Sequence, residues 1–208
     1  MIGSPSRLVN NNLILKDILI ILASGSRYRR ELLERLGLPF RAWSPDVDER
    51  PLAGEAPRDT AVRLARDKAG AGAATHPDAW IIGSDQVAEL DGQPIGKPGD
   101  RERARGQLRA MRGRTVQFHT AVCLLHARSG RSQERLVTTE VAFRTLADDE
   151  IERYLDREPA FDCAGSAKSE ALGIALLDRL SGDDPTALVG LPLIALCGML
   201  RAEGIAVP

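Results

Sequence analysis

The chain has 208 residues, of which 43% are hydrophobic and 27% charged, proportions typical of a globular protein. This length allows one α/β domain or two small lobes that share a cleft. The charges of the 28 basic and 29 acidic side chains nearly cancel, leaving a net charge of −1. This balance argues against a protein that binds nucleic acid or anionic membranes.

The N-terminal segment and the cysteines favour a cytoplasmic protein. The best apolar run near the start, residues 18–23, is too short for a signal-peptide core or a membrane span. Cys123, Cys163 and Cys197 form no CxxC pair and no Cys/His cluster, which predicts free thiols in a reducing cytosol. We expect residues 1–17 to be an extension that precedes the fold.

Strands and helices alternate in the first half of the chain. The apolar, β-branched run at 18–23 predicts a strand buried on both faces, and a serine–glycine turn at 24–26 separates it from a helix. A second buried strand, Trp80–Gly83, delivers the polar residues 84–86 at its end. The other elements predicted here are a helix over 28–36, a short strand over 40–43, an acidic loop at 45–49 and a long helix from Pro57 to about Gly72.

The second half of the chain predicts antiparallel pairing. Asp91–Gly92, between two short alternating runs, indicates a hairpin. Further along we predict a helix from Asp100 to Arg112, paired strands over 114–126 and 134–144 joined by a turn at 128–130, a helix capped by Asp148 or Asp149, a strand over 173–180 and a last helix over 191–202. Because there is no internal repeat or clear linker, residues 18–208 are predicted to form one domain.

The turn after the first strand is a candidate anion site. Free N–H groups at a helix start, with the hydroxyls of Ser24 and Ser26 beside them, suit a phosphate. Arg29 and Arg30 follow one turn into the helix and add charge with bidentate geometry. The alternative is that one serine only caps the helix and the arginines face solvent.

A second candidate site is acidic. Asp85 places an ionised carboxylate at a strand end, where α/β sheets bind ligands, and Asp48 and Glu49 add hard oxygen ligands for Mg²⁺. The alternative is a turn aspartate near a solvated acidic loop. Lys97, between a glycine and a proline, is a candidate phosphate contact, whereas Lys68 lies among charged residues on the long helix, where a solvated face is the default.

Several long motifs occur together in the order of one known family. They are ILASGSRYRRELLERLGLPF, DVDE, ARDKA, IIGSDQV, DGQPIGKP, GRTVQFHTAVCL, DCAGSAKSEALGI and LVGLPLIALCGML. Over about residues 18–203 they resemble the Maf family of nucleoside triphosphate pyrophosphatases, and in detail the branch that acts on 7-methyl-GTP. Two departures are Arg27, where the family usually has proline, and Tyr28, where this branch often has tryptophan.

The resemblance implies an α/β fold in which a long, bent mixed sheet with flanking helices forms a cleft between two lobes, as in inosine triphosphate pyrophosphatases. It also implies a homodimer that hydrolyses a nucleoside triphosphate to the monophosphate and pyrophosphate with a divalent cation such as Mg²⁺ or Mn²⁺. In that reaction Asp85 would accept a proton from water and, with Glu49, hold the metal. The phosphates would be bound by Ser24, Ser26, Arg29, Lys68 and Lys97.

The same resemblance carries over Tyr28, Gln86 and Glu170 as the positions that select the base. A guanine methylated at N7 is cationic and prefers an aromatic face such as that of Tyr28. Glu170 can accept hydrogen bonds from the guanine N1–H and exocyclic amine. The branch that acts on dTTP and UTP typically has arginine, threonine and glutamine at these positions.

Two alternatives to a 7-methyl-GTP pyrophosphatase follow. One is a dTTP/UTP pyrophosphatase of the same family, and the other is a non-catalytic, nucleotide-sensing regulator of cell division. A sensor would not need Asp85, Glu49, Lys68 and Lys97 together, and all are present, so the sequence favours an enzyme. We expect a small nucleotide as its partner, with no nucleic acid and no membrane.

Overall fold

The structure is a computed structural model that describes residues 18–207, so the extension predicted for residues 1–17 lies outside the described residues. The strands are β1 (Ile20–Ala23), β2 (Arg41–Trp43), β3 (Trp80–Leu90), β4 (Gln93–Ile95), β5 (Thr115–His126), β6 (Arg131–Phe143) and β7 (Leu177–Ser181). The α-helices are α1 (Arg27–Glu34), α2 (Pro57–Thr75), α3 (Arg101–Met111), α4 (Asp148–Arg157) and α5 (Leu193–Ala202). No helix within residues 18–207 is long and apolar enough to cross a membrane.

The strands form one open mixed sheet with the order β2-β1-β3-β5-β6-β7, and β4 pairs with β3. β1 runs parallel to β2 and β3, as expected for strands connected through helices. From β3 onward the pairs are antiparallel, including the predicted hairpins. The α/β class and the mixed sheet predicted from the sequence are confirmed.

The long strands β3 and β5 run through separate hydrophobic cores, which form two lobes. Near the start of β3, Leu22 and Ile82 pack against α1 and α5 on one face, and Ile81 packs against α2 on the other. Near its end, a distal cluster around Phe118 and Leu108 includes α3 and α4. The cleft opens between these cores.

The edge of β3 is open between these lobes because two partners leave a gap. β1 pairs with β3 only as far as Gly83, and β4 pairs with it only from Ala88. Residues 84–87 are therefore free on that edge while β5 pairs with them on the other. The gap exposes backbone and side chains of β3 to the cleft.

Three sequence predictions about these elements were wrong. β3 does not end at Gly83 but continues through Asp85, because β5 pairs with it along almost its whole length. The segment predicted as a strand over 173–180 begins as a 3-10 helix, Leu172–Leu176, because the N–H of Gly173 is held by Glu158 instead of a neighbouring strand. Asp148 is the first residue of α4 and not its cap, since Glu150 accepts the N–H of the preceding Ala147.

Gly83 allows α2 to lie directly on the sheet. A Cβ at this position would be 2.2 Å from the carbonyl oxygen of Ala65 and 2.6 Å from the nitrogen of Ala69, closer than any side chain tolerates. The close approach brings the α2 turn that carries Lys68 over β3, two residues before Asp85. A feature of the backbone thus positions a pair of charged side chains.

Candidate active site

A cleft of about 730 Å³ lies beside the open edge of β3. Nearly all of the side chains predicted for phosphate, metal and proton transfer meet there. Its wall includes Ser24, Ser26, Tyr28, Arg29, Glu49, Lys68, Asp85, Gln86, Lys97, Asp162, Cys163 and Gly190. These residues come from seven separate parts of the chain, and the gap in the sheet brings them together.

Lys68 is the centre of a buried charge cluster. Its ammonium nitrogen lies 2.6 Å from Asp85 Oδ1 and 2.5 Å from Glu49 Oε1. The Lys68 and Asp85 side chains are only 6% and 11% exposed, whereas that of Glu49 is 56% exposed. The default prediction that Lys68 faces solvent was therefore wrong, because α2 turns this side chain toward the sheet.

Glu49 is ionised in this cluster. Partial burial raises its pKa, but the hydrogen bond and charge of Lys68, with the charges of Lys97 and Arg29, outweigh that effect and hold the pKa below its ordinary value. Asp48, its neighbour, does not line the cleft: it pairs with Arg50 at 2.6 Å, which lowers the Asp48 pKa to about 2. The expectation that both acidic residues join Asp85 was wrong for Asp48, because its carboxylate pairs with Arg50.

Arg29 is fixed at the start of α1. Its Nε donates to the Gly190 carbonyl at 2.8 Å, its Nη1 to Ser24 Oγ at 3.3 Å, and its Nη2 lies 3.9 Å from Asp85 Oδ1. Burial lowers the pKa of Arg29, although the nearby carboxylates oppose this. Ser26 caps α1 by accepting the N–H of Arg29 at 3.4 Å. The guanidinium is thus held rigidly at the cleft wall.

The two arginines of this helix that were predicted to bind an anion, Arg29 and Arg30, have different surroundings. Arg30 is exposed and does not line the cleft, so its predicted contribution to an anion site was wrong. Successive residues of a helix point about 100° apart, and Arg29 alone faces the end of β1. Lys97 does line the cleft, and its exposed side chain makes no ion pair within residues 18–207. It is available for an incoming anion.

Gln86 lies on the opposite side of β3 from Asp85, since neighbouring residues of a strand alternate between faces. Its Nε2 lies 2.9 Å from Thr120 Oγ1, 3.0 Å from the Ala187 carbonyl and 2.9 Å from the Leu188 carbonyl. These acceptors take up the amide N–H groups, and Oε1 makes no hydrogen bond within residues 18–207. Gln86 therefore offers an acceptor and no free donor.

Tyr28 lies close to three charged side chains. Its hydroxyl donates to Asp162 Oδ2 at 3.0 Å, while the Arg27 guanidinium and the Lys168 ammonium lie 4.7 and 5.8 Å from the ring centroid. Burial raises the pKa of Asp162, but hydrogen bonds from Lys168 and Tyr28 outweigh this effect and hold the pKa below its ordinary value. This carboxylate is therefore ionised. Glu170 is exposed and does not line the cleft, so the structure does not bring it to Tyr28.

Two residues in the wall of the cleft were not predicted from the sequence as site residues. Asp162 lines the cleft beside Tyr28, and the carbonyl of Gly190 accepts from both Arg29 and the buried hydroxyl of Ser84. No spacing rule connects residues 134 or 161 positions apart. In the sequence, the motif containing Asp162 served only as one of the segments that resemble the family.

The cysteines are free thiols in the part of the chain that the structure describes, as predicted. Cys163 lines the cleft, but burial raises its pKa to about 12, and its thiol donates to main-chain carbonyls. A thiol with so high a pKa is a poor nucleophile at neutral pH.

Comparisons with known proteins indicate the family and the fold. Residues 19–203 match the family model described as Maf-like protein. A protein of Aromatoleum aromaticum named 7-methyl-GTP pyrophosphatase is 64% identical over 189 residues, covering 91% of this chain and 97% of that protein. A protein of the same name from Cupriavidus pinatubonensis is 62% identical over 185 residues, covering 89% of this chain and 93% of the relative. The Staphylococcus aureus Ham1 protein has a similar fold, with a TM-score of 0.53, 15% identity, and coverage of 89% of this chain and 99% of that one.

Proposed function

The chain belongs to the family of Maf-like proteins, and on that premise we propose that it hydrolyses 7-methyl-GTP to 7-methyl-GMP and pyrophosphate. The enzyme class is a hydrolase that acts on phosphoric anhydride bonds. The observation that carries the proposal is the Lys68–Asp85–Glu49 cluster in a cleft that also presents Arg29 and Lys97.

The cations of the cleft are suited to binding the phosphates of the substrate. A nucleoside triphosphate carries about four negative charges at neutral pH, and its hydrolysis depends on positioning and electrostatic stabilisation more than on covalent chemistry. Arg29, Lys68 and Lys97 supply positive charge from α1, α2 and the loop after β4. Ser24 and Ser26 add hydroxyls at the start of α1, where the helix dipole favours an anion.

Asp85 is the proposed proton acceptor. Lys68 binds its Oδ1, while Oδ2 makes no hydrogen bond to residues 18–207 and is not fully enclosed. A water molecule there would transfer a proton to Oδ2 as its oxygen bonds to the α-phosphorus. The bond from that phosphorus to the bridging oxygen of the β-phosphate breaks, and pyrophosphate leaves with the electron pair.

The residues present fit a divalent cation. Mg²⁺ is commonly held by one or two carboxylates together with water and substrate phosphates, and Asp85 and Glu49 supply two ionisable carboxylates on one side of the cleft. Within residues 18–207 no group of three or more His, Cys, Asp or Glu side chains forms a cage of protein ligands alone. Bound there, the cation would polarise a phosphoryl oxygen and neutralise charge on the leaving group. Lys68 already holds both carboxylates in place for it.

Selection of 7-methyl-GTP is supported by the relatives, which carry this substrate in their names at 64% and 62% identity. We assign the choice of base to Tyr28, Gln86 and Glu170. The first two line the cleft, and Oε1 of Gln86, which makes no hydrogen bond within residues 18–207, can accept an N–H of the substrate. The role of Glu170, like the homodimer and the cytoplasmic location, stays a prediction from the sequence.

A panel of nucleotides tests the proposal. Pyrophosphate release is measured with 7-methyl-GTP, GTP, dTTP and UTP at several concentrations to obtain kcat/KM. We expect 7-methyl-GTP to have the highest value, whereas a preference for dTTP or UTP would assign the chain to the other branch. Absence of hydrolysis with every nucleotide would favour a non-catalytic sensor.

A triple variant tests the base-selecting residues. Tyr28→Arg, Gln86→Thr and Glu170→Gln together are expected to reduce the ratio of kcat/KM for 7-methyl-GTP to that for dTTP. An unchanged ratio would contradict their role in selecting the base, while leaving the pyrophosphatase activity itself in place.

A further inference from the structure

Gln107 on α3 connects two loops of the cleft without lining it. Its Nε2 donates to the carbonyl oxygen of Gly96 at 3.0 Å, and its Oε1 accepts from the hydroxyl of Ser166 at 2.6 Å. Gly96 precedes Lys97, and Ser166 closes the turn that follows Asp162. One side chain thus joins the loop of a phosphate-binding candidate to the loop beside Tyr28.

The partners fix which way the amide of Gln107 points. A main-chain carbonyl can only accept, so the nitrogen must face Gly96. The hydroxyl of Ser166 then donates to the remaining oxygen. No apolar side chain of the same length can make either bond, and an exchange of the amide nitrogen and oxygen would place two acceptors against each other.

The Ser166 end of this connection is unusually constrained. Ser166 is completely buried and has φ of 55°, a left-handed conformation that residues other than glycine rarely adopt. Its hydroxyl makes its only side-chain hydrogen bond, within the described part of the chain, to Gln107. The preceding Gly165 has φ of 74°, and a Cβ there would lie 3.0 Å from the ring of Phe118. This turn is therefore a firm point of attachment.

The Gly96 end, in contrast, is a loop with few connections. It follows the three-residue strand β4, and Gly96, Lys97 and Gly99 are exposed. Besides the bond from Gln107, the N–H of Gly99 donates to the carbonyl of Phe161 at 3.1 Å, and Pro98 is buried. Because the exposed Lys97 side chain makes no ion pair within residues 18–207, the backbone around it determines where its ammonium can reach.

We propose that Gln107 is a positioning residue that holds Lys97 against the substrate phosphates by anchoring the Gly96 carbonyl to the rigid turn at Ser166. This inference rests on the proposed function in assuming that Lys97 binds those phosphates. Gln107 itself touches no substrate. Its contribution is to restrict the conformations of the loop that carries Lys97, so that less conformational entropy is lost when Lys97 binds the phosphates.

The test uses Gln107→Met. Methionine has a similar length and helix propensity, but it can make neither of the two hydrogen bonds. Pyrophosphate binding with Mg²⁺ is measured by titration calorimetry, and KM and kcat are measured with the best nucleotide substrate. We expect pyrophosphate binding to weaken and KM to rise by about three- to tenfold, the effect of about one neutral hydrogen bond, with kcat within about twofold of wild type.

A matched control is Gln133→Met. Gln133 also joins two segments, through the Met199 carbonyl at 3.1 Å and Glu203 Oε1 at 2.7 Å, but it does not line the cleft or connect to Lys97. We expect its loss to lower the unfolding temperature without a change in pyrophosphate affinity. Equal pyrophosphate affinity for wild type and Gln107→Met would overturn the proposal.

A double-mutant cycle separates positioning of Lys97 from a general structural effect. In a Lys97→Ala background, Gln107→Met is expected to cause no further loss of pyrophosphate affinity, because the side chain that it positions is gone. The same loss in both backgrounds would overturn the proposal. A wild-type protein that neither binds pyrophosphate nor hydrolyses any nucleotide would overturn both the proposed function and this inference, whereas a normal wild type with an unaffected Gln107→Met overturns the inference alone.

Discussion

Asp85→Asn removes the proposed proton acceptor while keeping the volume of the side chain. The amide has a negligible basicity, and general-base catalysis is worth about 10²–10⁴ in rate, or roughly 3–5 kcal/mol of activation free energy. Lys68, whose side chain is 6% exposed, loses one of two carboxylate partners but keeps Glu49 at 2.5 Å. We therefore expect kcat to fall at least a hundredfold, with a loss of about 1.5–3 kcal/mol in the free energy of unfolding.

The assay is pyrophosphate release from 7-methyl-GTP, with unfolding in urea and far-ultraviolet circular dichroism as measures of folding. Asp48→Asn is the matched control, because it removes a negative charge from the loop of Glu49 while Asp48 pairs with Arg50 outside the cleft. Its activity is expected to stay within about twofold of wild type. Activity of Asp85→Asn within about tenfold of wild type would refute the role of this carboxylate.

Three further predictions follow from the charge cluster and the reaction. Lys68→Met should lower the free energy of unfolding by about 3 kcal/mol, since it breaks a buried ion pair. Lys97→Met should change this free energy by less than about 0.5 kcal/mol, because the Lys97 side chain is exposed. Similar changes in the urea midpoint for the two variants would contradict the difference in burial. Because the pKa of Glu49 is lowered in the folded protein, its ionised form stabilises the fold at a pH above the unfolded-state pKa, and this stability is lost as the pH falls through the folded-state pKa. The melting temperatures of wild type and Glu49→Gln should therefore differ more at pH 7 than at about pH 3. A difference that does not change with pH would contradict this linkage. Hydrolysis in heavy-oxygen water should label the nucleoside monophosphate and not the pyrophosphate, as read by mass spectrometry, and label in the pyrophosphate would exclude attack at the α-phosphorus.

Local features of the sequence were sufficient for most of the fold. The β-branched run of β1, the proline at the start of α2 and the Asp91–Gly92 turn each depend on neighbouring residues, and the structure confirms all three. The prediction for 173–180 was wrong in its first part because a short apolar run fits a strand or a 3-10 turn equally well. There the decision came from Glu158, which lies 15 residues away and holds the N–H of Gly173.

The candidate site, like the fold, was predictable from the sequence only in part. The sequence by itself determined which chemical groups are present: cations for phosphates, carboxylates for a proton and a metal, and the motifs shared with the family. The residue types alone left two pairs of similar neighbours open, and the resemblance favoured Arg29 and Glu49. The tertiary structure places these two, and not Arg30 or Asp48, in the wall of the cleft. It also turned Lys68 from an apparent surface residue into a buried partner of Asp85. The physical reason is that burial and ion pairing depend on contacts between segments that are distant in the chain. Here those contacts are the close approach of α2 to Gly83 and the gap beside β3, and the spacing of residues along the chain predicts neither of them.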